Sequence, residues 1–225
     1  MAEPLPDLIE EFVTDGMGDD PASILTALSG QDTVYIASLL ESLPLERRLV
    51  VWEGIPRDRK LSVLVEMRSD PREILIDATP HNEWASIFAD IDAEDLLELL
   101  DSLPTRLVDV AYEALDSQER KYFREATQFP DEQVGHWVSH ELLVLPANAK
   151  VKEGLRLLRR DIPQHCDSIY LVNRSGQFTA LVKIHRLFAA QEHSSLISMA
   201  EENVTMLVGT DESTAASLQV QRSGL

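Results

Sequence analysis

Basic charge is what this 225-residue chain lacks most: 20 Lys and Arg stand against 39 Asp and Glu, for a formal net charge of −19. Phosphate backbones are gripped by clustered cations, so this balance argues against a nucleic-acid binder and favours cations or basic partners. Cysteine is down to one residue, Cys166, which excludes an intrachain disulfide and fits a reducing compartment. Nine glycines are present and no Gly-rich phosphate loop is among them. No apolar run approaches the roughly 20 residues that span a bilayer. The opening MAEPLPDLIEEF has neither the basic start nor the apolar stretch of a signal peptide. The chain by itself is therefore expected to be soluble. What remains, 44% hydrophobic and 26% charged, is globular, with length for one large domain or two small ones.

What is there is a repeat. Steps of twelve from Pro44 reach Pro56, Arg68, Pro80, Asp92, Pro104 and Asp116. The residues just before them are Leu43, Ile55, Met67, Thr79, Ile91, Leu103 and Leu115, all apolar except Thr79. Seven and eight places after each anchor come pairs such as Val51/Trp52, Val63/Leu64, Leu75/Ile76, Ile87/Phe88 and Leu99/Leu100. Pro or Asp followed by acids marks a helix N-terminus. Apolar columns at seven, eight and eleven share one helical face. Each phrase therefore predicts a helix of about two turns and a tight corner, too short to stand alone. Stacking such units buries the common face, as in a solenoid. We expect a loose lead-in over 1–20 and a right- or left-handed superhelix of short helices over 21–128. SILTALSGQDTVYIASLLES supplies its entry helix.

After Phe129 the period breaks. Glu141–Pro146 reads as a strand, Ala149–Arg160 as a helix, and Ser168–Val172 and Phe178–Val182 as strands around the turn Asn173-Arg-Ser-Gly176. His185–Glu192 reads as a helix, closing a strand-helix-strand-strand-helix unit over 129–195. Asn203–Val208 then starts the cycle again with a strand, and Ser213–Leu225 with a helix, so 196–225 predicts an incomplete second unit. The fold class is α followed by α/β.

The acidic twelve-residue repeats (LLESLP, LLELLDSLP), the junction FPDEQVG at 129–135 and the run DSIYLVNRSGQFTALV at 167–182 occur together in that order. In this order they resemble the cytosolic region of MgtE-type magnesium transporters, an N domain followed by a pair of CBS units. The resemblance runs from about residue 30 onward. It implies a homodimer joined through the CBS region, a transmembrane transport domain in a longer chain, and residence on the cytoplasmic side of the membrane. The departures are His136-Trp137-Val138 after the junction glycine, Ala180 where CBS units often have Gly, and Arg186 where they often carry the ribose-binding Asp. Arg186 makes a bound nucleotide an unexpected cofactor.

The phrase Ala93–Pro104, AEDLLELLDSLP, crowds carboxylates among leucines. Glu94 and Glu98 lie four apart, and Asp92, Asp95 and Asp101 are close in sequence. Magnesium takes oxygen ligands, one or two carboxylates and several waters, and the resemblance puts the family's N-domain ligand at Glu94, with Glu98 one turn on. Asp92, Glu94, Asp95, Glu98 and Asp101 are the candidate Mg2+ residues. Asp211 and Glu212, with Glu201 and Glu202 before them, are secondary ones from the incomplete unit. Calcium and manganese suit the same donors.

Other chemistry is thin. His136 and His140 are spaced as a metal pair without a third ligand and read as an incidental surface pair. Cys166 lacks the partners of a nucleophile. Trp52, Trp84 and Trp137 are expected in the core. No catalytic residue is predicted, and an enzyme is not expected. Three readings stay open: a magnesium-sensing regulator acting by cation-dependent domain closure, an acidic interaction scaffold, and an adenine-nucleotide sensor. Aromatics, only 6% and mostly in apolar columns, favour the first over the second.

Overall fold

The computed structural model describes residues 26–140, 142–160 and 166–223. The expected lead-in at 1–20 lies outside them. The chain divides into two compact units, Met1–Glu125 and Ala126–Leu225.

The described part of the first unit is built of helices in step with the repeat. They are α1 (Thr33–Ser42), α2 (Leu45–Gly54), α3 (Arg57–Val65), α4 (Ser69–Ala78), α5 (Trp84–Ile87), α6 (Ala93–Leu99), α7 (Thr105–Ala114) and α8 (Ser117–Ala126). A 3-10 turn over His81–Glu83 leads into α5 and keeps that repeat in phase. The anchors are the caps: Pro44, Pro56, Arg68, Pro80, Asp92 and Pro104 all stand immediately before the first helical residue. Asp32 adds one more anchor twelve residues upstream, its carboxylate accepting from the Tyr35 N–H at 2.7 Å. Asp116 does the same for the N–H groups of Gln118 and Glu119.

Proline does two jobs here. It lacks an N–H that the helix start would leave unused, and it forces the preceding residue out of the α region. Leu43, Ile55 and Thr79 are accordingly extended, with ψ of 146°, 130° and 127°, ending α1, α2 and α4 where the next unit begins. Hence the corner is tight and the next helix starts at once.

The columns at seven, eight and eleven are the core. Val51, Trp52, Ile55, Val63, Leu64, Met67, Leu75, Ile76, Ile87, Phe88, Ile91, Leu99 and Leu103 are all buried in one cluster. Helices two repeats apart pack together, α1 on α3, α3 on α5 and α5 on α7, so the stripe becomes continuous. Thr79, the polar exception in its column, is buried as well. Its hydroxyl donates to the Leu75 carbonyl at 2.7 Å and accepts from Trp52 Nε1 at 2.8 Å, which satisfies both groups.

The second unit has the order β1 (Leu143–Pro146), α9 (Val151–Leu157), β2 (Ser168–Val172), β3 (Phe178–Lys183), α10 (Ile184–Leu187), and later α11 (Ser213–Ser223). β1 pairs parallel with β2 across the α9 crossover, and β2 pairs antiparallel with β3. This is the βαββα order of a CBS unit. Gly176, at φ +76°, makes the hairpin turn that Asn173 stabilises by accepting from the N–H groups of Ser175 and Gln177. Ile169, Leu171, Val182, Val151, Leu187 and Leu196 form its core. At the junction, Gly135 donates to the Gly209 carbonyl at 2.8 Å. A Cβ on Gly135 would lie 2.6 Å from the Phe129 ring, so FPDEQVG needs that glycine for close packing.

Four expectations need correction. The helix expected over 185–192 is the single turn α10, because the chain bends away after Leu187. The strand expected at 203–208 does not form. No neighbouring strand among the described residues offers it a ladder, and Met206 stays 71% exposed. Trp137 is 50% exposed rather than core, its indole N–H donating to the Asp131 carbonyl. His136, read as surface, is buried, with Nδ1 3.0 Å from the Phe129 carbonyl. It also sits in a 3-10 turn, Val134–Trp137, so His136 and His140 do not share a helical face.

Candidate functional site

The acidic phrase resolves into three kinds of carboxylate. Asp92 is a helix cap: its Oδ1 accepts from the Asp95 N–H at 2.8 Å, so the start of α6 depends on it. Glu98 and Asp101 face a buried cation. Arg72, from α4, is almost wholly enclosed and donates from Nε, at 3.0 Å, and from Nη2 to the Met67 carbonyl. Its Nη1 donates to the Glu98 carbonyl at 2.6 Å. Its Nη2 then reaches Glu98 Oε1 at 3.1 Å, and its Nη1 lies 3.7 Å from Asp101 Oδ1. Asp101 also accepts from the hydroxyls of Ser69 and Ser102. Burial pushes Asp101 upward, but those two hydrogen bonds and the Arg72 charge hold its carboxyl below the usual range. Two of the five candidates are thus already neutralised from within the superhelix.

Glu94 and Asp95 remain, in the first turn of α6. Glu94 is exposed. Asp95 is half-buried, and its carboxyl is pushed up to about 7, first by burial and then by the charge of Asp92, with Glu94 adding to it. A hydrogen bond to the Asp92 backbone opposes the shift. Desolvation disfavours its charged form first, and the neighbouring charges of Asp92 and Glu94 add to that penalty. Glu119, from α8, closes on the same helix start, its Oε2 accepting from the Ala93 N–H at 2.8 Å. Sequence spacing gave no sign of Glu119, since it arrives from two repeats further on.

Among the described residues, no group of three or more His, Cys, Asp or Glu side chains is arranged to enclose a metal ion. An octahedral cage of protein atoms is therefore not what α6 offers. Magnesium usually keeps several waters and needs one or two carboxylates, which Glu94 and Asp95 can supply.

In the second unit, Asp211 and Glu212 do not converge on an ion. The Asp211 carboxylate accepts from the Val208 N–H at 2.8 Å, shaping the turn before α11, and Glu212 is exposed. Glu202 is exposed too, whereas Glu201 pairs with Arg186 at 3.0 Å. Arg186 also donates to the Met199 carbonyl at 3.2 Å. Arg186 is thus tied to its own unit. Cys166 is half-buried, its thiol donating to the Ser168 carbonyl.

Comparison with known proteins bears first on the helical unit. Residues 31–132 match the family model of the MgtE intracellular N domain. The match covers most of the first unit and runs into the start of the second. The fold of both units is shared with a crystal structure of the cytosolic domain of the Mg2+ channel MgtE in complex with ATP. The TM-score is 0.79 at 17% identity, covering 96% of this chain and 88% of that one. A crystal structure of the soluble part of a magnesium transporter matches with a TM-score of 0.70 at 14% identity, covering 98% and 86%. No curated protein sequence matches the chain. The chain therefore has the architecture of an MgtE cytosolic domain. Among the described residues, no helix is long and apolar enough to cross a membrane.

Proposed function

We propose that this chain is the magnesium-sensing regulatory region of a magnesium channel or transporter, on the cytoplasmic side of the membrane. The single observation that carries the reading is the uncompensated pair Glu94 and Asp95. In a chain that neutralises Glu98 and Asp101 with a buried arginine, these two are left crowded at one helix start. A hydrated magnesium ion would supply positive charge beside Glu94 and draw Asp95 toward its ionised form. Glu94 and Asp95 would hold it, with Asp92 and Glu119 adding to the local field while they cap α6. Asp211 and Glu212 rank behind them, because Asp211 is committed to a turn.

The mechanism is electrostatic. At low magnesium, acidic surfaces repel and the two units stay apart. At higher magnesium, ions shared between carboxylates and water let them close, and in the longer protein that closure holds the pore shut. Homodimerisation through the CBS region would couple two such closures. Binding is weak and involves several ions, since each keeps most of its own water. Small-angle scattering across a magnesium titration, against sodium chloride of equal ionic strength, tests the reading. The radius of gyration should fall with magnesium in the native chain and not in Glu94→Gln. A radius that tracks ionic strength alone would sink the proposal.

A further inference from the structure

The second unit carries a feature that ion sensing does not use. Lys152, Arg156 and Arg159 recur at spacings of four and three along α9 and its last turn, which brings them onto one face. All three are exposed, and all three line a pocket of about 380 Å³ whose other walls are Leu155, Glu153 and Glu192. None of the three cations has a hydrogen bond or ion pair among the described residues. Elsewhere in the chain Lys60, Arg68, Arg72, Lys183 and Arg186 each meet a carboxylate within 3.3 Å. Single exposed cations such as Arg106, Arg174 and Arg222 are scattered. In a molecule of net charge −19, three gathered on one face form a local positive patch that can attract an anion.

The two acids in the pocket bear on what fits. Glu153 faces its own helix start, accepting from the Lys150 N–H at 2.8 Å. The Glu192 carbonyl accepts from the Lys152 N–H at 3.0 Å, which fixes the adjoining loop beside the stripe. Net positive charge in the pocket is therefore small, which suits one compact anion and not a long polyanion. Two guanidinium groups a turn apart match the oxygens of a phosphoryl group, which each can bind with two parallel N–H donors.

We propose that this face of α9 is a binding site for a single phosphoryl group. The chemistry is shared by two sources, the headgroup phosphate of an anionic phospholipid and a soluble phosphate, and the experiment separates them. The full chain is mixed with phosphatidylcholine vesicles, with or without phosphatidylglycerol, and recovered by flotation. In parallel, inorganic phosphate is titrated while backbone amide shifts of Val151–Leu157 are followed. Each arm is repeated with Lys152→Gln/Arg156→Gln/Arg159→Gln. A control of equal charge change, Arg106→Gln/Arg174→Gln/Arg222→Gln, removes three exposed cations elsewhere, and circular dichroism confirms that both variants fold. Flotation that needs phosphatidylglycerol supports the site and assigns it to lipid. Saturable shifts on α9 with phosphate support it and assign it to a soluble ligand. In either case the α9 variant should weaken the response by about tenfold or more, and the control should not. No response in both arms, or an equal loss in the two variants, overturns the proposal.

Discussion

Asp95→Asn is a substitution that should make the protein more stable, and only above a definite pH. In the folded chain the Asp95 carboxyl is raised from 3.8 to about 7, by burial first and by Asp92 and Glu94 after it. A folded-state pKa above the unfolded one means the native state binds the proton more tightly. Stability then falls as pH rises between about 4 and 7, and the whole cost is present above 7. At about 1.36 kcal/mol per unit, three units set a ceiling of roughly 4 kcal/mol. Asp95 is only half-buried and sits in the first turn of α6, where the amide dipoles favour its charge. Water and dipole together reduce the expected cost to about 1–2 kcal/mol. Asparagine keeps a carbonyl oxygen and removes the charge. Urea unfolding at pH 8 should therefore show Asp95→Asn more stable by about 1–2 kcal/mol, with the gain fading to nothing near pH 4. Saturating magnesium should narrow the gain at pH 8, because the ion offsets the same charge. A gain independent of pH, or a loss of stability at pH 8, would refute the reasoning.

The other predictions concern what holds the units together. Arg72→Met leaves Glu98 and Asp101 without their cation and the Met67 carbonyl without its donor. It should cost about 3 kcal/mol in urea unfolding of the first unit. Gly135→Ala drives a methyl into the Phe129 ring and should destabilise the second unit by about 1–3 kcal/mol, with far-UV circular dichroism otherwise unchanged. Leu99→Ala, at a fully buried column position, should cost about 3 kcal/mol. Leu100→Ala next to it, half-buried, should cost roughly 1 kcal/mol, and reversal of that order would mean the repeat is out of phase.

The superhelix was readable because its signals are local. A Pro or Asp anchor fixes the start of each helix, the residue before Pro fixes the end of the previous one, and apolar columns fix the buried face. All three recur every twelve residues and agree. The strands 168–172 and 178–182 are readable for the same reason, with β-branched residues on both sides of the turn Asn173-Arg-Ser-Gly176. What the sequence could not show is pairing across repeats. Arg72 lies 26 residues from Glu98, and Glu119 lies 26 from Ala93, so both partnerships exist only once the helices stack. That is why sequence spacing alone does not separate Asp92, Glu98 and Asp101, which have structural duties, from Glu94 and Asp95. Segment 203–208 fails for the complementary reason: alternating apolar residues make a strand only where another strand lies beside them. Trp137 is apolar enough for a core, but the junction uses its indole N–H at the surface instead.

The most direct test of the account is a thermal melt of this chain with and without about 10 mM magnesium chloride, the ionic strength matched by sodium chloride. It is run on the native sequence and on Glu94→Gln. At tenfold above a millimolar dissociation constant, binding adds about 1.4 kcal/mol, an upward shift of roughly 5 °C for a unit of this size. The account predicts that shift for magnesium in the native chain and its loss in Glu94→Gln. A melting temperature that follows ionic strength alone, or a magnesium shift unchanged by Glu94→Gln, would contradict it.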